Sequence, residues 1–510
     1  MDALHYLLVL VSLLLILYQL TVPKRIERKN VLPRPPSLPI IGHFLFIKML
    51  LKLPLHEVLN KLCNKYGPLF LLHLGKRRTL VLSARSDIEE CFSKNDIIFS
   101  NRPLLPSRKV VEYNFTTLGA PYGNHWRNLR RFFAVEVLSP KRLQLSSTIR
   151  TEEIRFMIKY LFQTSFQGFV KVELNSFLYM LDFNIIMKMV AGTRCFEENE
   201  IDTDRGKDKL DDLKQSFSPV EPLALGDYFP FLRWLTCYGA EKKILNKFKK
   251  RDAFLQAMLD ARQNLDKTPS VSGGGSEIDQ TIIDVMLKLK EFEPEFYNDD
   301  VMKGNMMAML MAGTHTTVIT MQAAISRLIS HPEILKKARD EIDNVVGQSR
   351  LLNDEDLPNL TYLHCIINET LRLDVSVLPP RESSEDCTIG GYHIPRGTQL
   401  MVNVLTLHRD PELWTEPNSF MPERFLQNEK GGGFKFVPFG IGRRICPGST
   451  LAIRLMTLSL GTLIQCFEWE EAETEDKSQG VAKHKLNKRK KCVKMIFRPR
   501  EALTQVLAQL

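Results

Sequence analysis

Apolar residues recur every three or four positions over many long stretches of this chain and alternate with polar ones over only a few short stretches. The first pattern lays one face of a helix against a core, and the second gives a half-buried strand. The helical period predicts helices over Leu55–Tyr66, Ser86–Ser93, Asn124–Phe132, Thr148–Thr164, Glu241–Leu265, Ile278–Leu289, Asp299–Ser330, Glu333–Val346, Leu360–Leu373 and Ser449–Phe467. Strand-like runs are confined to Leu69–Leu74, Thr79–Leu82 and Gln399–Leu405. The expected class is therefore mainly α with small β-sheets, an α+β arrangement and not a strand–helix–strand repeat. The Gly-rich stretch VSGGGSE, Val271 to Glu277, reads as a surface loop.

The first twenty-odd residues break this pattern. Leu4 to Val22 contains no Asp, Glu, Lys or Arg, and as a helix rising ~1.5 Å per residue it reaches nearly the ~30 Å of a bilayer's hydrocarbon core. The run is too long for a signal-peptide core and lacks a small-residue cleavage site, so an uncleaved anchor is expected. Lys24, Arg25, Arg28 and Lys29 would keep the following chain on the cytoplasmic side. Pro33, Pro35, Pro36 and Pro39 then hold Leu32 to His43 extended. The organisation expected is an anchor over 1–22, a basic and proline-rich hinge over 23–45, and a single catalytic domain over 46–510.

Composition narrows the chemistry. Nine cysteines are scattered without paired spacing and no CxxC occurs, which points to free thiols in a reducing compartment, away from disulfide or zinc frameworks. The net charge of +10 is concentrated partly in the run from Lys483 to Lys494. No aromatic residues interleave with the basic runs and no recognition module accompanies them, so no nucleic-acid role is expected. A basic face for an acidic redox partner fits better.

One segment carries the chemistry: FGIGRRICPG, Phe439 to Gly448. A lone cysteine, Cys446, follows two arginines and sits among glycines that let the backbone lie close to a flat cofactor. Pro447 suits the first turn of the apolar helix that follows. This segment resembles, position for position, the F-x-x-G-x-R-x-C-x-G haem-binding signature of the cytochromes P-450, with Phe439, Gly442, Arg444, Cys446 and Gly448 in its defined places. The resemblance implies a helix-rich prism around a buried haem b, with Cys446 as axial iron ligand and Arg444 on a haem propionate. It also implies dioxygen as co-substrate, with NADPH electrons delivered by a separate cytochrome P-450 reductase and by cytochrome b5.

Three further motifs follow in the family's order. Trp126 and Arg130 match its W-x-x-x-R helix, where an indole N–H and a guanidinium grip propionates. Glu369 and Arg372, with Arg424 of FMPERF, match its buried E-x-x-R and P-E-R-F network, a structural assignment. AGTHTT, Ala312 to Thr317, matches the segment that arches over the haem, with Gly313 leaving room for dioxygen and Thr316 bonding the distal oxygen. Here the chain departs from the family, because His315 occupies the position of an acid. Imidazole, with a pKa near ~6.5, can also shuttle protons, so His315 is expected to replace the acid as a relay; the alternative is impaired oxygen activation with leakage to peroxide. A second departure is LDVSVLPPRESSEDC after the E-x-x-R helix, which lacks the usual proline; Arg381 within it is placed to reach a propionate.

A finer likeness runs through YNFTTLGAPYGNHWRNLRR and ESSEDCTIGGYHIPRGTQLMVNVLTLHRDPELW, which resemble the plant microsomal family numbered 81. The resemblance implies an endoplasmic reticulum monooxygenase that hydroxylates or oxidatively cyclises a lipophilic flavonoid, isoflavonoid, indole, lignan or terpenoid. The chamber implied draws on Arg102–Ala120, Asp227–Leu235, Met306–Thr316 and Ser376–Arg381. The rival readings are a haem-thiolate isomerase or dehydratase of the same fold, and a haem-binding scaffold at the membrane.

Overall fold

A computed structural model of the chain describes residue 12 and residues 32–38, 42–50, 52–165, 170–201, 203–218, 225–229, 237–266, 280–426, 433–471 and 494–510. The expected anchor other than Ser12, the basic cluster at 24–29, the Gly-rich stretch at 271–277 and residues 483–493 lie outside the described residues. So do residues 230–235 of one expected chamber segment.

Among the described residues the helices of nine residues or more are α1 (Leu55–Tyr66), α2 (Arg85–Ser93), α3 (Asn124–Phe132), α4 (Ser147–Ser165), α5 (Leu174–Ala191) and α6 (Asp204–Ser216). They continue with α7 (Cys237–Asp266), α8 (Ile282–Phe292), α9 (Asp299–Ser330), α10 (Pro332–Val345), α11 (Thr361–Asp374) and α12 (Ser449–Cys466). Helix α9 is the axle: it packs most extensively on α5 and also touches α7, α8, α10, α11 and α12. Its N-terminus is set by Asn298, whose side chain accepts from the Val301 N–H at 3.1 Å, with Asp299 and Asp300 favourably placed in the first turn. Helix α12 is apolar and long enough to cross a bilayer, yet it is largely buried among α4, α9, α10 and α11, as a core helix would be.

Helix α5 had no counterpart in the sequence expectation. It is apolar on all sides, so no 3.6-residue stripe marks it, and fifteen of its residues are buried. Gly192 ends it in the left-handed region at φ 77°.

Among the described residues three small sheets accompany the helices. The largest has the order β1 (Leu69–Leu74), β2 (Arg77–Leu82), β7 (Gln399–Val402), β4 (Arg381–Glu382), with β2 and β7 parallel in the register Leu80 to Leu400. The expected strand Gln399–Leu405 is thus four residues long. Asn403 turns the chain out of the sheet, its side chain donating to Asn60 and Thr406, and a short helix Val404–His408 follows. A second sheet, ordered β3 (Val170–Glu173), β9 (Lys494–Pro499), β8 (Phe467–Glu471), and a hairpin of β5 (Cys387–Ile389) with β6 (Tyr392–Ile394) were not expected. The proline-rich segment docks on β1: Leu71 N–H donates to Pro33 O at 2.9 Å and the His43 ring bonds Pro35 O at 2.8 Å.

Candidate active site

The cysteine loop runs from a 3-10 turn, Gly442–Arg444, into the N-terminus of α12. Gly440 (φ 80°) and Gly442 (φ 65°) take conformations that L side chains avoid. Gly442 is also closed in from outside, since a Cβ there would stand 2.1 Å from Asp96 Oδ1. That carboxylate accepts from the Arg443 N–H at 3.1 Å and so fixes the turn. The Cys446 N–H donates to Phe439 O at 2.9 Å, folding the loop back on itself. Pro447 lies just outside the helix instead of in its first turn, and Gly448 is the N-cap. Burial pushes the half-buried Cys446 thiol up, while the Gly448 N–H and the Arg130 guanidinium pull it back toward thiolate.

Around this loop stand four arginines. Arg444 donates to the carbonyls of Ser100 (2.7 Å), Leu118 (2.9 Å) and Ala120 (2.6 Å). Its guanidinium lies 4.4 Å from the centre of the buried Trp126 ring, which also has Arg130 at 5.9 Å. Arg130 donates to Ile445 O at 2.8 Å, so α3 is tied directly to the residue before the cysteine. Arg102 donates to Pro379 O and Pro380 O, and Arg381 bonds Ile441 O and Asp96. Burial and the positive neighbours Arg381, Arg108 and Arg130 push Arg444 down to about 9. Burial, then Arg444 and Arg381, likewise lowers Arg102. Among the described residues none of Arg102, Arg130 and Arg444 has a carboxylate within ion-pair distance; Asp96 serves Arg381 and Arg443, and Glu112 is held by Arg108. Clustered guanidinium groups without counter-ions suit an anionic ligand. Sequence reasoning missed Asp96, which no motif marks, and placed Arg102 in the chamber without this role.

In the middle of α9, Ala312, Thr316 and Ile319 are exposed on one face, whereas Thr314, Thr317 and Val318 are buried. Thr316 Oγ1 donates back to Ala312 O at 2.7 Å and Thr317 Oγ1 to Gly313 O at 2.8 Å. A Cβ on Gly313 would come 2.9 Å from Ile186 Cδ1, so this glycine lets α5 close on α9. Half-buried His315 is lowered by burial and is neutral at neutral pH.

Glu369, Arg372 and Arg424 meet in one buried network. Arg372 forks onto Glu369 with two bonds of 2.7 Å, and Arg424 Nε reaches the same carboxylate at 3.1 Å. Of the four segments expected around a substrate chamber, 102–120 touches two of the others and meets α9 just before the third. Ser107 N–H donates to Asp227, Arg102 to Pro379 and Pro380, and Thr116 and Thr117 crowd α9 at Gly304. Tyr113, Asn114 and Phe115 all have positive φ, and Tyr113 is strapped to Asp252, which also takes Lys303 Nζ at 2.7 Å.

These residues fit haem. No group of three or more His, Cys, Asp or Glu side chains that could hold a metal occurs among the described residues. A metal held by Cys446 therefore needs donors from its own macrocycle, and guanidinium groups bonded to carbonyls but to no carboxylate suit that macrocycle's carboxylates. A single thiolate beside paired-up glycines and an arginine comb defines a haem-thiolate protein.

The chain belongs to the cytochrome P450 family, whose model matches residues 32–496. By that membership it is a monooxygenase that uses haem and dioxygen and takes electrons from a reductase. Its relatives fall in plant family 81. It is 46% identical over 449 residues to cytochrome P450 81Q32 of Catharanthus roseus, covering 87% of this chain and 86% of that one. It is 41% identical over 497 residues to (+)-piperitol/(+)-sesamin synthase CYP81Q2 of Sesamum radiatum (95% and 94%). It is 42% identical over 450 residues to an isoflavone 2'-hydroxylase of Glycyrrhiza echinata (87% and 86%).

Proposed function

We propose that this protein oxidises a C–H bond of a lipophilic plant specialised metabolite of the flavonoid, isoflavonoid, indole, lignan or terpenoid kind, by hydroxylation or ring closure. The observation that carries the reading is the single-cysteine loop from Phe439 to Gly448 beside Arg102, Arg130 and Arg444, cations without carboxylate partners. The relatives named as a piperitol/sesamin synthase and an isoflavone 2'-hydroxylase support the lignan and isoflavonoid classes among these. When bound, haem supplies the activation of dioxygen. Electrons come from NADPH through a separate reductase, with cytochrome b5 as a second donor. The chain from 23 to 45 is the hinge of an endoplasmic reticulum anchor at 1–22, and 46–510 is one catalytic domain.

The residues divide the task. Cys446 would ligate the iron, Arg444, Arg130, Arg102 and Arg381 would take the propionates, and Trp126 packs against Arg444 and Arg130. Phe439, Gly442 and Gly448 shape the loop, and the Glu369–Arg372–Arg424 network holds the segment leading into it. Gly313 sets the spacing of α9 from α5. The Thr316 hydroxyl, on the open face of α9, hands protons to the oxygen side. His315, neutral through burial, accepts a proton at one ring nitrogen and releases one at the other.

The test is expression with a plant reductase, product screening on those metabolite classes under labelled dioxygen, and H315A and H315D in parallel. Label in the product, or in water formed alongside ring closure, is the expected result. Turnover without dioxygen consumption would instead favour an isomerase. If H315A yields no more peroxide per NADPH than the wild type, the imidazole has no part in proton delivery.

A further inference from the structure

Helix α5 is apolar throughout its buried length except at Asp182 and Asn184, neither of which has exposed surface. Asn184 is fully used: its amide donates to Phe196 O at 2.9 Å and its oxygen accepts from the Cys195 and Phe196 N–H groups at 3.0 and 2.8 Å. Asp182 is not, because neither carboxylate oxygen has a hydrogen-bond partner. A bare carboxylate in such a place would be strongly disfavoured, and the group keeps its proton instead. Burial alone drives this; no charged side chain on α4, α8 or α9, the helices packed against α5, contributes.

Its position follows from two contacts. Asn175 Nδ2 donates to Gln322 Oε1 at 3.3 Å, and Ile186 meets Gly313. Helices α5 and α9 therefore run antiparallel. Asp182 is one turn before Ile186, which sets it level with Thr317, one turn after Gly313. Thr317 Oγ1 gives its hydrogen to Gly313 O at 2.8 Å, leaving its lone pairs open to a donor.

We propose that Asp182 is a positioning residue for the oxygen-side turn of α9. Its neutral carboxyl donates, through one buried water, to the Thr317 hydroxyl, which holds the Gly313 carbonyl and fixes the turn bearing His315 and Thr316. The inference rests on the reading of that turn given under Proposed function. A carboxyl or an amide can make this donation; an alkyl group of like size cannot.

The test uses the haem-loaded protein as D182N and D182L, with D182V as a fallback if leucine impairs folding. Amide hydrogen exchange in the segment 313–320 should rise about five- to tenfold in D182L, the factor of one lost hydrogen bond, and stay within about twofold of wild type in D182N. Decay of the ferrous dioxygen complex, which needs no substrate, should follow the same order. A second arm follows the urea midpoint with pH. Above the ordinary carboxylate range the unfolded chain releases a proton that folded Asp182 keeps. The wild-type folding constant should therefore fall relative to that of D182N by about tenfold per pH unit, until the folded carboxyl itself ionises. Parallel pH curves for wild type and D182N would overturn the proposal, as would a D182L protein with unchanged exchange in 313–320. If wild type forms no dioxygen complex, the functional reading fails on its own, while exchange and pH still decide the role of Asp182.

Discussion

Removing the Glu369 carboxylate should be among the most damaging single changes in this protein. Glu369 and Arg372 have no exposed surface. The carboxylate accepts four bonds: two of 2.7 Å from Arg372, one of 3.1 Å from Arg424 Nε and one of 3.0 Å from the Met421 N–H. Breaking a buried pair costs about 3–5 kcal/mol, because the surviving charge stays in a place water cannot reach. Arg372 would not be stripped bare. It keeps the carbonyls of His408 (2.6 Å), Pro417 (2.8 Å) and Ser419 (3.2 Å), and its guanidinium lies 5.1 Å from the Trp414 ring centre. The lower end of the range is therefore expected for E369L, about 3 kcal/mol, on the order of a hundredfold in the folding constant. E369Q should fare little better, since its NH2 group would point a donor at a donor. The assay is urea unfolding followed by the haem absorbance, with the carbon monoxide spectrum reporting native ligation. In E369L/R372L both charges are gone and much of the loss should return, giving a coupling of at least about 2 kcal/mol. Additive effects, or an E369L midpoint within about 1 kcal/mol of wild type, would refute the argument that uncompensated charge is the cause.

Other outcomes follow from single sites. C446S should lose the thiolate-specific absorbance of the reduced carbonyl adduct, and an unchanged spectrum would remove Cys446 as the ligand. G442A combines a positive φ of 65° with a Cβ 2.1 Å from Asp96 Oδ1, whereas Gly440 at φ 80° has nothing nearer than 3.9 Å. The conformational part is about 1–2 kcal/mol for each, so G442A should lower the thermal midpoint and haem content more than G440A; equal losses would acquit Asp96. His408 donates to Arg372 O and accepts from the Val437 N–H, and burial pushes it down to about 3. Below its ordinary pKa of ~6.5 the unfolded chain takes up a proton that folded His408 refuses, so stability should fall with pH by about 1.4 kcal/mol per unit. That slope should be missing in H408N when urea midpoints are compared between about pH 5 and 7.

The parts of the fold legible in the sequence were those with a one-sided apolar face or a capped start. Leu55–Tyr66, Asn124–Phe132 and Asp299–Ser330 have the bounds their periodicity predicts. Helix α5 was invisible because burial on every side erases the period, and α6 because charge outnumbers apolar residues along it. Strands β3, β8 and β9 are short and pair with partners distant in sequence, so no local pattern announces them. Within the site the cysteine loop was legible as a motif. The roles of Asp96 and Arg102 were not, since they arise only when the segment at 96–102 is folded against residues 379–381 and 441–443.

The grip of three backbone carbonyls on Arg444 has a bearing on assembly. An arriving propionate meets a side chain already parked in place, and it competes with peptide oxygens rather than with bulk solvent. The same three bonds tie the cysteine loop to the segment from Ser100 to Ala120, so one side chain serves both the framework and the incoming group.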